Sequence, residues 1–397
     1  MDRSKAFLVI LLLGSLAALG PFSIDMYLPG FNAIANDLHS DVAKVSLSLS
    51  SFFIGISAGQ LLYGPLLDKY GRKKPLLFGL ALYILSSLCC LFVHTIDQLI
   101  VLRFVQAIGS CAAAVAAITL VRDIFSVEES PKVFSSLLLV IALSPMLAPT
   151  AGGYLIVAFG WQAVFIFLGI MAVLMMLATF FWLPGSYQPD PSYSLKPKPI
   201  LTNFYHVLKK PNFYTYTLIS GITFSGLFAY VSSSPAIFME HYHVSATGYG
   251  WIFAILAAFF IGCSQINSLI LKYSSSQKIV VRALVFQCLF GILFAISAVN
   301  NWLDLYSTFA FIALFMGCLG FINPNASALS LAPFTKNAGS ASALMGALQM
   351  GLGAVASAVI SLLALDITWA LALLMSAASI LALCCLAIGR RKISTPG

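Results

Sequence analysis

Apolar runs of some twenty residues, separated by short polar stretches, recur from one end of the 397-residue chain to the other. They predict helices over 6–28, 45–67, 75–94, 97–121, 132–158, 162–183, 213–236, 247–271, 279–298, 302–323, 337–360 and 367–389. About 20 mostly apolar residues are what a helix needs to cross a bilayer, where backbone groups find no water. The pattern therefore predicts an all-α integral membrane protein with twelve transmembrane helices. Arg3 and Lys5 ahead of the first run resemble the start of a secretory leader, but eleven further runs argue for an uncleaved first span.

Composition agrees: 60% of residues are hydrophobic, 9% are charged, and the mean hydropathy is +0.97. Of the 21 basic residues, all but Lys44 and Arg103 fall on one side if the amino terminus lies inside. By the positive-inside rule this predicts cytoplasmic termini and an even number of spans. The +8 net charge is then a matter of topology and argues little for nucleic acid, so no nucleic-acid partner is expected. The eight cysteines lie mostly within spans and lack metal-ligand spacing, and His241 and His243 have no third ligand nearby. No metal and no cofactor is expected.

The stretch from Pro184 to Pro211 is rich in Pro, Ser, Tyr and Lys, and begins "PGSYQPDPSYSLKPKP". It predicts a partly extended cytoplasmic linker, 184–211, between two six-helix halves, 1–183 and 212–397. A weak repeat supports the division: Lys69-Tyr70 after span two and Lys272-Tyr273 after span eight lie 203 residues apart. Parallel halves are one architecture of secondary transporters, with the substrate held near mid-membrane depth.

Three motifs narrow the reading. "GPLLDKYGRKK", Gly64 to Lys74, places a small residue for close helix contact at Gly64, a tight turn at Gly71 and a basic run at the membrane surface. "LRFVQAIGSCAAAV", from Leu102, sets the lone charge Arg103 among small residues suited to close helix packing. "LSPMLAPTAGGYL", from Leu143, combines Pro149 with Gly152 and Gly153, which bend a helix and let a neighbour approach. These stretches resemble the signature, span-four and antiporter motifs of the major facilitator superfamily, with Ala148 replacing a glycine of the last. Together with "SIDMYLP", "VRDIF" and the looser second-half matches "SSSPAIFME" and "GFINPNASAL", the chain resembles the Bcr/CflA subfamily of drug:proton antiporters. The resemblance implies the major facilitator fold, two pseudo-symmetric halves rocking around a central cavity. It also implies an inner charge network that latches the halves, formed by Asp68 and Arg72 with Asp123 as a partner.

Two lone charges carry the coupling expectation. Asp25 lies about 5 Å below the outer end of a span over 6–28, and Arg103 about 9 Å below the outer end of one beginning at 97. Burial opposes a carboxylate's charge and a nearby guanidinium favours it, so such a pair can exchange a proton near neutral pH. A static buried ion pair and a solvated interfacial Asp25 remain open as alternatives. The 203-residue offset sets Phe228 opposite Asp25 and Tyr306 opposite Arg103, so proton chemistry is assigned to the first half. Candidate cavity residues are Phe22, Asp25 and Met146, with Phe224, Phe228, Tyr230, Ser234, Gln265, Asn323, Asn325 and Gln349 from the second half.

The expected protein is a monomeric, multi-pass transporter of the bacterial inner membrane, in contact with lipid, that exports small amphiphilic molecules in exchange for protons. A metabolite, siderophore or amino-acid transporter of the same fold, and a sensor or scaffold without flux, are the alternatives. No catalytic cluster is visible, so enzyme activity is not expected.

Overall fold

The computed structural model describes residues 3–126, 129–183, 197–334, 338–363 and 366–393. They form helices α1 (Arg3–Asp25), α2 (Phe31–Asp37), α3 (Val42–Tyr70), α4 (Lys73–Cys89), α5 (Ile96–Ile124), α6 (Ser130–Phe159), α7 (Gln162–Trp182) and α8 (Pro197–Leu208). After these come α9 (Pro211–Pro235), α10 (Ala246–Ile270), α11 (Ser276–Val299), α12 (Leu305–Leu331), α13 (Ala338–Leu362) and α14 (Ile367–Ile393). Among the described residues, twelve helical segments are long and apolar enough to cross a membrane, and each overlaps one of the twelve predicted runs.

Local chemistry sets the ends. The Asp41 carboxylate accepts from the Lys44 amide at 2.7 Å and starts α3, while Gly71, at φ +80°, ends it in a conformation that suits glycine. Asp304 and Ser307 form a reciprocal cap on α12. Helix α1 ends at Asp25, its last amide bond running from Met26 N to the Phe22 carbonyl, and Pro29, four residues on, has no N–H with which a regular helix could continue. A short 3-10 turn, Leu28–Gly30, then leads into α2.

Two expectations need correction here. The first span runs Phe7–Asp37 rather than 6–28, because α2 continues it and Trp161 Nε1 donates to Asp37 at 2.9 Å to hold its end. Asp25 therefore lies about three helical turns from the end of its span, not one. The expected linker over 184–211 is helical in its second part, where Pro197–Leu208 forms α8; residues 184–196 lie outside the described chain. Its prolines at 197 and 199 stand in the first turn, where a missing N–H costs nothing.

The chain divides into two compact units. Unit 1 comprises Met1–Pro199 with Ala246–Ala254, and unit 2 Ile200–Ser245 with Ile255–Gly397. In unit 1, α5 packs on α1, α3 and α4, α1 on α6, and α4 on α7. Close approach depends on small residues: a Cβ at Gly55 would meet the Phe104 carbonyl, one at Gly79 would meet Ala112, and one at Gly152 would strike the Met26 carbonyl. In unit 2, α9 packs on α12, α13 and α14, and α11 on α12 and α14, around Ile219, Leu284, Ile322 and Leu386.

Candidate functional site

The break that ends α1 prepares the main polar site of unit 1. Because the turn stops at Asp25, no Tyr27 amide bonds the Ser23 carbonyl, and Arg103 Nη2 donates to it instead at 2.8 Å. Arg103 Nη1 donates to Gln106 Oε1 at 2.6 Å, Gln106 Nε2 to Ser87 Oγ at 2.8 Å, and Ser87 to the Tyr83 carbonyl at 2.7 Å. The Ser23 hydroxyl donates to the Leu19 carbonyl, so the Tyr83 hydroxyl donates to Ser23 Oγ at 2.6 Å and closes a ring through α1, α4 and α5. Every member is buried. The guanidinium also lies over the rings of Phe52 and Tyr27, 4.2 and 4.6 Å from their centroids, with Phe165 at 5.9 Å. Aromatic faces stabilise a cation electrostatically, more strongly away from water.

The alternative of a static Asp25–Arg103 ion pair is not what forms: among the described residues no hydrogen bond or salt bridge reaches the Asp25 carboxyl, although the residue is only 6% exposed. Arg103 is occupied by neutral acceptors and π faces. Nothing in the residue pattern marks Tyr83, Ser87 or the aromatic cage in advance. Gln106 was signalled by its place three residues after Arg103 on the same helix face.

At the junction of α3 and α4, the structure brings the three expected charges together. Arg72 Nε donates to Asp123 Oδ2 at 2.7 Å and Nη1 to Asp68 Oδ1 at 2.6 Å. Burial works against the Arg72 charge, but the bonds to Asp123 and Asp68 outweigh it and hold its pKa above the usual arginine value. Neighbouring Lys73 donates to the Phe180 carbonyl at 2.8 Å, at the carboxyl end of α7, where a cation is favoured. Gly64 departs from expectation: nothing lies within 4 Å of a Cβ built there, so it mediates no close helix contact, and Gly55 and Gly79 do that work.

Of the antiporter residues, Gly152 abuts the Met26 backbone and Gly153 the Ala246 carbonyl, while Pro149 presents its carbonyl towards Gly250. Phe22 and Met146 are partly buried. In unit 2, Phe228 stacks near Phe224 with centroids 5.7 Å apart and fills the space beside Gly353. Tyr230 is buried, and the buried Ser234 turns its hydroxyl back to the Val231 carbonyl at 3.0 Å. Gln265 is exposed rather than enclosed; the buried polar position on α10 is Asn267, which accepts from Asn325 Nδ2 at 2.7 Å. Tyr306, opposite Arg103 in the repeat, is 78% exposed at the start of α12. Ser220, not anticipated, donates to Asn323 Oδ1 at 2.5 Å and accepts from Gln349 Nε2 at 2.6 Å. No cluster of three or more metal-ligating side chains occurs among the described residues, and His241 faces Asp366 at 3.9 Å.

Comparison with known proteins follows the same lines. Residues 11–358 match the model of the Major Facilitator Superfamily. A bicyclomycin resistance protein homolog of Haemophilus influenzae is 31% identical over 92% of each chain. The multidrug resistance protein MdtL of Klebsiella pneumoniae is 28% identical over 85% of this chain and 84% of its own. A crystal structure of a bacterial homolog of the human lysosomal transporter Spinster has the same fold, with a TM-score of 0.77 at 12% identity over 98% of both chains.

Proposed function

Because the chain belongs to the Major Facilitator Superfamily, whose members are membrane transporters, we propose that it is a proton-coupled exporter of small amphiphilic compounds. The observation that carries the coupling is the state of Asp25. It is a buried carboxyl with no ion pair, beside a helix break whose freed carbonyl holds Arg103. A carboxyl unpaired in an apolar interior favours its neutral form, and a cation moving towards it favours release of the proton. A small rearrangement near Ser23 thus suffices to exchange one state for the other.

The named relatives support drug export as the physiological direction, and the bias of Lys and Arg supports a bacterial inner-membrane protein with cytoplasmic termini. In this reading Asp25 and Arg103 couple the proton, and the Asp68–Arg72–Asp123 network acts as a cytoplasmic latch in alternating access. The proton gradient drives a monomer that needs no cofactor and does no chemistry on its cargo.

The test is proton release from purified, weakly buffered protein on adding substrate, run beside export driven by a pH gradient in vesicles of fixed orientation. Asp25→Asn is expected to bring both to background while neutral compounds still bind. Undiminished release in that variant would assign the proton to another group, and gradient-driven net uptake by the wild type would reverse the direction.

A further inference from the structure

Unit 2 carries a polar arrangement of a different kind. Ser220 lies on α9, Asn323 on α12 and Gln349 on α13. Their spans run Pro211–His241, Leu305–Leu331 and Gly339–Leu362. At 1.5 Å per residue each stands roughly 12–15 Å from the nearer end of its span, close to the middle of a hydrocarbon layer about 30 Å thick.

Ser220 is fully buried and has one hydroxyl proton. It gives that proton to Asn323 Oδ1 and takes the Gln349 Nε2 hydrogen on its lone pair. Both amides are thereby fixed by one atom, and each keeps its other edge free. Asn323 Nδ2 and Gln349 Oε1 have no partner among the described residues, and neither is sealed from access. Reversing the direction of the chain would exchange the two edges but still leave one free N–H edge and one free carbonyl. An amide left unpartnered against lipid tails is costly, so a half-satisfied pair at this depth faces water or cargo.

We infer that Asn323 and Gln349, held by Ser220, form a recognition site for an uncharged polar group with one hydrogen-bond acceptor and one donor, such as a carboxamide. Asn323 donates to the cargo's carbonyl, and Gln349 accepts its N–H or O–H. Phe224 and Phe228, on the same helix as Ser220, supply apolar surface to the unit but no hydrogen bond to a ligand. The assignment rests on the export reading above, since it names the class of compound carried.

The experiment is equilibrium binding to the full-length protein in nanodiscs with two probes. Chloramphenicol is uncharged and has a secondary amide; tetraphenylphosphonium has neither donor nor acceptor. Asn323→Leu and Gln349→Leu should each weaken chloramphenicol binding about fivefold to tenfold, the usual value of one hydrogen bond in a desolvated site. Ser220→Ala should weaken it less, and phosphonium affinity should stay as in the wild type, which also certifies the fold. Equal losses for both probes, no loss for either, or a wild type that binds the phosphonium alone would overturn the assignment. A wild type that binds neither probe would likewise overturn the assignment, while the export reading beneath it stands or falls on the proton-release and vesicle assays above.

Discussion

Unit 1 closes a charge inside itself, whereas unit 2 leaves neutral amides half open. Around Arg103, a carbonyl and an amide oxygen take two of the guanidinium nitrogens and three aromatic faces lie over it, the buried Nε being left to those faces without an acceptor among the described residues, and the ring of hydrogen bonds returns to Ser23. Ser220 bonds two neutral amides, and among the described residues the other edge of each remains unused. The difference follows from cost. An ion in an apolar interior must be surrounded by compensating groups, while an amide with one bond made and one edge near water costs little. A closed charged cluster suits a change of state and an open neutral one suits contact with a visitor.

Removing the charge is the strongest way to break this contrast. Arg103→Ala should lose about 3 kcal/mol or more of stability, since it opens a cavity and strands the Ser23 carbonyl and Gln106. Arg103→Lys should recover only part, because an ammonium lacks the planar fork that reaches both acceptors. Thermal unfolding in detergent measures both, and an Ala variant as stable as the wild type would mean that the ring contributes nothing.

A matched pair of substitutions sharpens the comparison. Gln106→Leu leaves a buried guanidinium nitrogen without its acceptor and should cost about 1–3 kcal/mol. Gln349→Leu removes a half-satisfied amide and should cost under about 1 kcal/mol. Similar losses at both sites would erase the distinction between closed and open clusters.

A smaller effect is expected at the α3–α4 junction, also in unit 1. Asp123→Asn keeps the Arg72–Asp68 bond but weakens the other, so turnover should fall a few fold while substrate affinity stays unchanged. Because its two carboxylate partners hold the Arg72 pKa high, that cation stays charged at every working pH. A profile of this variant that differs from the wild type only in amplitude is the expected outcome; a shifted midpoint would place the network in proton coupling. The least effect should come from Gly64→Ala, where a methyl group meets nothing within 4 Å; the helix should gain up to about 1 kcal/mol and export should be unaffected. A loss of export there would restore the close contact that the structure does not contain.

Much of the architecture was legible in the sequence. The twelve apolar runs matched the twelve spans, and the "DKYGRKK" turn carried the residues that meet Asp123. The apolar run over 6–28 covers only part of the first span, because the chain resumes after Pro29 as α2 and is held by Trp161. The Pro-rich linker over 184–211 reads as partly extended yet carries α8, because prolines that stop a helix interior also suit its first turn. Gln265, a sequence candidate, is exposed while Asn267 two residues on is buried, because nothing in the α10 sequence marks which face is covered.

The sequence by itself determined the number and order of the spans, and where the lone charges fall along them. A bilayer demands local satisfaction of every backbone group over about 20 residues, so the requirement is written into each segment separately. Only the tertiary structure decided the partners. Arg103 takes a carbonyl 80 residues away rather than a carboxylate, and Ser220 joins side chains 103 and 129 residues distant. Such choices depend on how each helix is rotated about its axis. Helices apolar nearly all round carry little pattern to fix that rotation, and it is set by where small residues let backbones meet.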